Sequence, residues 1–394
     1  MEEKINKHFC IQPFVNVTTR ITGQNNVCCN TDYLNSNIVT ESPTNFFNSE
    51  YVKNLRSDLL EGKKRKDCAL CQYQETHNQF SQRQKYNEYY YIKNDQSRDY
   101  YKNIVKKLKF ENLKKPLYVE MHVSNLCNLK CLTCNETDSS QFHAENKILG
   151  ISKHPKTNFT KFVVNTTKEL ENVIHTGLLF LDIRGGETLM VPEIKNILSK
   201  INHDVSKNIT LKIQTNGTVT PDETWTNIFK KFKNTKVNVS IDAFGDKNHY
   251  IRYPSNWTSI LNTINYLKEN NIKFIINTVV SNLNILYLDQ LFDWIIEENY
   301  LNYFYILENP LYYRPNNLPK ECLELALSKL SLVNRTFKNT EIAESVDRLI
   351  KLCNNSTYND VLWKRFSKEI NMRDKIRNVD IQNVLPEIAD FLIK

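Results

Sequence analysis

The stretch "LYVEMHVSNLCNLKCLTCNE", residues 117–136, begins as one kind of structure and ends as another. Its first seven residues alternate, with Leu117, Val119, Met121 and Val123 on one face and Tyr118, Glu120, His122 and Ser124 on the other. That period is a β-strand's. The strand feeds a segment with three cysteines, Cys127, Cys131 and Cys134, separated by three residues and then two. A closed structural zinc shell would need a fourth ligand from elsewhere, such as a distant histidine.

Five more strand-like runs follow: "LLFLDIR" (178–184), "ITLKIQT" (209–215), "KVNVSID" (236–242), "IKFIINTVV" (272–280) and "LNYFYIL" (301–307). Helical spacing fills the intervals, and strands alternating with helices predict right-handed βα units around a parallel sheet. The fold class is therefore α/β, a partial (β/α)6 barrel spanning 116–310. A cysteine-rich segment (1–75) and a polar, Tyr-rich helical linker (76–115) precede it, and a helical extension (311–394) follows it. Patterns at 45–63, 319–332, 340–352, 358–376 and 380–392 predict the helices outside the barrel.

The strands have one polar face. Asp182 and Arg184 oppose Leu181 and Ile183; Lys212, Gln214 and Asn216 oppose Leu211 and Ile213; Asn238, Ser240 and Asp242 oppose Val237, Val239 and Ile241. A sheet covered by helices on both faces would read as continuous apolar runs. The alternation predicts instead a barrel whose lumen is wet or holds a polar ligand. Active sites of such folds lie at the carboxyl ends of the strands, where the three cysteines fall.

Composition sets the remaining bounds. The 394 residues are 40% hydrophobic and 24% charged, as in a folded globular chain. No apolar run reaches the length of a membrane span, and "MEEKINKHFC" opens with acids where a secretory signal has a basic region, so the reading is cytoplasmic. The net charge of +8, with basic runs such as "GKKRKD" (62–67), reads as solvated surface. Thiols are kept reduced in that compartment, so the ten cysteines suggest metal or redox chemistry and not disulfides. Cys322 and Cys353, alone in helical surroundings, read as small buried hydrophobes.

Three thiolates suit three irons of a 4Fe-4S cube and leave the fourth iron open. The C-x3-C-x2-C spacing resembles the signature of the radical S-adenosylmethionine (radical SAM) superfamily. Three further segments carry the resemblance: "RGGETLM" (184–190), "TNG" (215–217) and "SIDAFG" (240–245). It implies a radical SAM barrel in which Cys127, Cys131 and Cys134 hold the cluster while S-adenosylmethionine chelates the open iron. Gly185, Gly186, Glu187, Asn216, Ser240, Asp242, Arg252 and Val279 are the cofactor-binding residues it implies, with Asn277, Asn282 and Asn284 nearby. Thr188 stands where the family has proline, and Thr133 where it often has an aromatic residue. Four of only eight glycines sit in these turns, which suggests backbone that approaches a ligand or takes positive φ.

The amino-terminal "FCIQPFVNVTTRITGQNNVCC" (9–29) and "CALC" (68–71) resemble an auxiliary-cluster module of the twitch or SPASM type. Cys10, Cys28, Cys68 and Cys71 would hold one auxiliary 4Fe-4S cluster, with Cys29 able to replace Cys28. A structural zinc site on the same four thiolates is the alternative. The module usually follows the barrel and here precedes it, and His77 occupies the position of a further cysteine in the complete pattern.

The resemblance implies that an external one-electron reductant of the flavodoxin or ferredoxin type reduces the cluster. S-adenosylmethionine is then cleaved to a 5′-deoxyadenosyl radical that abstracts hydrogen from a substrate. Glu120, His122, Asp182, Lys212 and Glu308 are candidates for touching that substrate, which is a peptide, a protein or a carrier-linked small molecule in the first reading. RNA is the second reading, although no RNA-binding motif is evident. A non-catalytic, zinc-stabilised binding protein is the third. No membrane partner is expected.

Overall fold

The structure, a computed structural model, describes residues 6–31, 42–76, 80–88, 113–154, 156, 168–174, 177–337, 341–355 and 358–393. The chain forms two compact units. One comprises Met1–Leu126, Lys156–Ile213 and Glu223–Thr235, and the other Cys127–Pro155, Gln214–Asp222 and Lys236–Lys394. The α/β class, mostly parallel strands and a helical carboxyl-terminal region are as the sequence predicts.

The strands of the first unit are β1 (Asn16–Thr19), β2 (Asn25–Asn26), β3 (Tyr118–His122), β4 (Phe180–Arg184) and β5 (Thr210–Thr215, leaving the unit after Ile213). Their order is β2-β1-β3-β4-β5. β1 and β2 form an antiparallel hairpin, and the other pairs are parallel. The cysteine-rich segment thus supplies a strand to this sheet, with Thr18 opposite Glu120. Its helices pack beneath: Phe46, Phe47, Val52, Leu55 and Leu59 form a buried cluster with Val17 and Val27.

One face of β3, β4 and β5 is apolar, with Val119, Met121, Leu181, Ile183, Leu211 and Ile213 fully buried. Each such side chain contributes about 1.5–3 kcal/mol on leaving water. The polar face is buried at Glu120 and Asp182, half-buried at Arg184 and Lys212, and satisfies itself. Asp182 accepts from the Tyr118 hydroxyl at 2.7 Å and from Arg184 through two nitrogens at 3.0 and 2.9 Å, with the Lys212 ammonium at 3.3 Å. Glu120 lies 3.5 Å from Arg184 and 3.2 Å from His122, which in turn meets Arg20 at 3.1 Å. Burial opposes ionisation of Asp182, but Arg184 and Lys212 outweigh it and hold the carboxyl well below the usual range.

The second unit contains β6 (Asn234–Ser240, joining it at Lys236), β7 (Phe274–Val280) and β8 (Asn302–Ile306), parallel and in that order. Helices Trp257–Glu269 and Leu288–Glu297 follow the strands, and each buries one stripe. In the first, Ile260, Ile264 and Leu267 recur at helical spacing. Three long helices, Lys320–Thr336, Glu341–Asn354 and Asp360–Arg377, come after β8. Cys322 and Cys353 are buried, as expected.

Some boundaries differ from expectation. The single helix expected over 45–63 is two, Pro43–Phe47 and Glu50–Leu60, because Ser49 caps the second by accepting from the Val52 amide. The helix expected over 380–392 is also two short pieces, with Pro386 opening the second. Within the expected linker, Gln82–Asn87 is helical behind a Ser81–Gln84 capping box, while 77–79 and 89–112 lie outside the described residues. No helix among the described residues is long and apolar enough to cross a membrane.

Candidate functional site

After β3 the chain enters the three-cysteine loop, which has no repeating backbone structure. Cys127 and Cys131 are buried, and with Leu129 they form a small cluster against which the half-buried Cys134 packs. The loop's polar backbone is satisfied from outside itself, as burial demands. Lys130 N donates to the Tyr253 carbonyl (2.7 Å), Leu132 N to that of Ile251 (2.8 Å), and the Leu129 carbonyl accepts from Ser139 Oγ (2.6 Å). Burial, Cys131, Asp138 and Cys127 together push the Cys134 thiol well up. Thiols crowded in this way repel as thiolates, and a multivalent metal centre relieves that repulsion. The donor set therefore fits a group that takes three thiolates.

The predicted residues of the second unit meet at Asp242. Its carboxylate accepts from Arg252 Nη1 at 2.9 Å and from the Val279 amide at 2.8 Å. Asn284 ties the same two strand ends, donating to the carbonyls of Asp242 (2.7 Å) and Val279 (2.8 Å). Burial opposes the Arg252 charge, yet Cys131 and Asp242 raise its pKa further, which places the guanidinium by the cysteine loop. Arg252 Nε is buried without a hydrogen-bond partner. Such a donor fits a ligand carboxylate.

Asn216, just beyond β5, donates to Asn128 Oδ1 (2.8 Å) and lies 3.9 Å from Cys127 Sγ. Asn128 and Thr218 complete the ring around it. Ser240 accepts from Gln214, whose own carbonyl accepts from Asn277 at 3.2 Å. Gln214 and Asn128 were not among the predicted site residues; the polar face of the third strand run was the signal for Gln214, and none marked Asn128. Asn282 donates to the Tyr312 carbonyl, away from this group.

In the first unit, Gly185 and Gly186 make a turn at φ +102° and +53°. A Cβ on Gly185 would lie 2.5 Å from the Ser124 carbonyl oxygen, and one on Gly186 would lie 2.1 Å from that of Leu126. The turn is thus pressed against the chain that leads into the cysteine loop, and the Glu187 amide donates to the Leu126 carbonyl at 2.7 Å. Glu187 itself is fully buried and accepts from the Leu189 amide at 3.0 Å. The expected close approach exists, and protein backbone is what approaches.

Cys10, Cys28, Cys68 and Cys71 line one cavity together with Gln12, Asn30, Thr31 and Arg83. Cys29 does not line it, and the charges acting on it are those of Glu120, Cys28, Arg184 and Arg20. Burial pushes Cys28 up to about 12 and, with Cys71 adding to it, Cys68 up to about 11. Polar groups approach the sulfurs: Thr31 Oγ1 is 3.2 Å from Cys28 Sγ and Asn30 Nδ2 is 3.9 Å from Cys71 Sγ, while Gln12, which lines the same cavity, has a buried Nε2 without a hydrogen-bond partner. Four thiols and these donors fit a metal centre of four thiolates. Among the described residues, no group of three or more His, Cys, Asp or Glu side chains is placed to hold a metal ion. His77 lies outside the described residues, and Glu308 is paired with Arg314 at 2.8 Å.

Comparison with known proteins bears on this geometry. Residues 121–295 match the model of the Radical SAM superfamily. An uncharacterized protein of Methanocaldococcus jannaschii is 31% identical over 183 residues, 45% of this chain and 57% of that protein. GTP 3′,8-cyclase of Clostridium perfringens is 25% identical over 164 residues, 41% of this chain and 46% of the enzyme. The chain thus spans about half the length of the curated relatives it matches. Among solved structures, native anSMEcpe with bound AdoMet aligns with a TM-score of 0.39 at 20% identity, over 55% of this chain and 60% of that one.

Proposed function

We propose, because residues 121–295 match the model of the Radical SAM superfamily, that this chain is a radical SAM enzyme with an auxiliary iron–sulfur centre, acting on a peptide, a protein or a carrier-linked small molecule. The observation that carries the reading is the gathering of Cys127, Cys131 and Cys134 in one cluster with the Arg252–Asp242 pair beside it. When bound, the cluster supplies the electron that cleaves S-adenosylmethionine to a 5′-deoxyadenosyl radical.

The chain's own residues bind and orient. Cys127, Cys131 and Cys134 hold three irons. Arg252, fixed by Asp242, offers its partnerless Nε to the carboxylate of S-adenosylmethionine. Val279 and Ser240 contribute strand ends, Asn216 a side-chain donor near Cys127, and Gly185, Gly186 and Glu187 a turn that braces the entry to the loop. Cys10, Cys28, Cys68 and Cys71 hold the auxiliary cluster. A flavodoxin- or ferredoxin-type donor is the reductant.

The test is iron, acid-labile sulfide and zinc per chain after anaerobic purification, for the native protein and for a Cys127/Cys131/Cys134→Ala variant. The expected result is about eight irons falling to about four, with 5′-deoxyadenosine released from S-adenosylmethionine by the native protein alone. Zinc without iron, unchanged in the variant, would leave a zinc-stabilised binding protein instead.

A further inference from the structure

The end of the long helix Asp360–Arg377 holds the three-cysteine loop. Arg373 and Arg377 are one turn apart, and their side chains are 1% exposed, as is that of Glu145 between them. Arg373 donates to Glu145 at 2.5 Å and to Asn146 Oδ1 at 2.8 Å. Arg377 reaches Glu145 through Nε (3.0 Å) and Nη2 (2.7 Å), and the same Nη2 donates to the Lys130 carbonyl at 2.6 Å. Lys130 lies between Cys127 and Cys131. It is gripped at three points: its amide by Tyr253, its carbonyl by Arg377 and its ammonium by Glu145 at 2.8 Å.

The same helix end also grips the segment that carries Arg252. Tyr250 donates to Asp374 at 2.7 Å, and the Arg377 guanidinium lies 5.1 Å from the centre of the Tyr253 ring. A loop without repeating structure keeps its ligands in place only through such outside bonds, and burying this many charges is costly unless each is paired. Arg377 is where the two held segments meet, and its charge reaches Cys131. A neutral side chain there would leave Glu145 with Arg373 and Lys130, so the fold keeps partners for the buried carboxylate while the Lys130 carbonyl loses its donor.

We propose that Arg377 is a positioning residue for the centre on Cys127, Cys131 and Cys134, setting the spacing of the first two ligands through Lys130 and raising the centre's reduction potential by its charge. The inference rests on the radical SAM reading and assigns the carboxyl-terminal helix a part in it.

Redox titration of the anaerobic holoprotein followed by EPR tests it, because only the centre with an open iron changes its signal on adding S-adenosylmethionine. Arg377→Gln is expected to move that signal to more negative potential and to weaken iron retention against a chelator about tenfold, leaving the second signal unmoved. Arg377→Lys, which keeps a cation against Glu145 should the first variant not fold, is expected to restore the potential more fully than the retention. Wild-type potential and retention in both variants would overturn the proposal alone. A wild-type chain with no signal responsive to S-adenosylmethionine would overturn the underlying reading and this inference with it.

Discussion

Of the eight glycines, Gly186 has the least room for a side chain. An alanine there would set its Cβ 2.1 Å from the Leu126 carbonyl oxygen, whereas Gly245 has open space at the same position. Gly186→Ala should therefore cost about 1–3 kcal/mol beyond the loss in Gly245→Ala, measured by urea unfolding of both. Equal losses would mean the turn can retreat from the loop. A second residue-scale prediction separates adjacent thiols. Cys28→Ser should lower the iron of the auxiliary centre, and Cys29→Ser should leave it unchanged, because only Cys28 lines the four-cysteine cavity. Spacing alone could not decide this: two consecutive cysteines satisfy the same motif, and the hairpin that presents them is held by pairings outside the segment.

At the scale of elements, the helix Ser140–Ile148 is fastened by Glu145. Burial would raise its pKa, but Arg377, Lys130 and Arg373 hold it down to about 2, against an ordinary value of 4.5. The sign follows from linkage: a depressed carboxylate stabilises the fold above its unfolded pKa, and that stability is lost as pH falls. Between pH 4.5 and 2 the native protein should lose about 3 kcal/mol from this group alone. Glu145→Gln should flatten that limb of the stability profile, and an unchanged limb would place the acid sensitivity elsewhere. Strand positions were legible in the sequence because period-two alternation survives when the polar face pairs internally, as Glu120, Asp182, Arg184 and Lys212 do. Arg373 and Arg377 were not, since two arginines ending a polar helix read as solvated charges.

For the molecule as a whole, the amino-terminal segment is bonded into the sheet. β1 covers an edge of β3 along four paired residues, Asn16–Thr19 against Tyr118–Met121. A chain lacking residues 1–31 should therefore expose an unpaired strand edge and aggregate, seen by size-exclusion chromatography as loss of the peak given by the full chain. A monodisperse product would mean the edge is covered in another way. The sequence showed short extended pieces and turns around cysteines in this region, and long alternating strand runs only from 117 onward. A four-residue strand in a run such as "VNVTT" has too little length to declare its pairing.

That pairing also fixes an order in time. Arg20, at the end of β1, finds His122 across 102 residues of chain. At ~5–20 residues per second, the ribosome delivers β3 roughly 5–20 seconds after β1. Early in that interval Cys10 and Cys28 still wait for Asp67, Cys68, Cys71 and Arg83, which line the same cavity, so metal supply and oxidants compete for these thiols before the cavity can close around them.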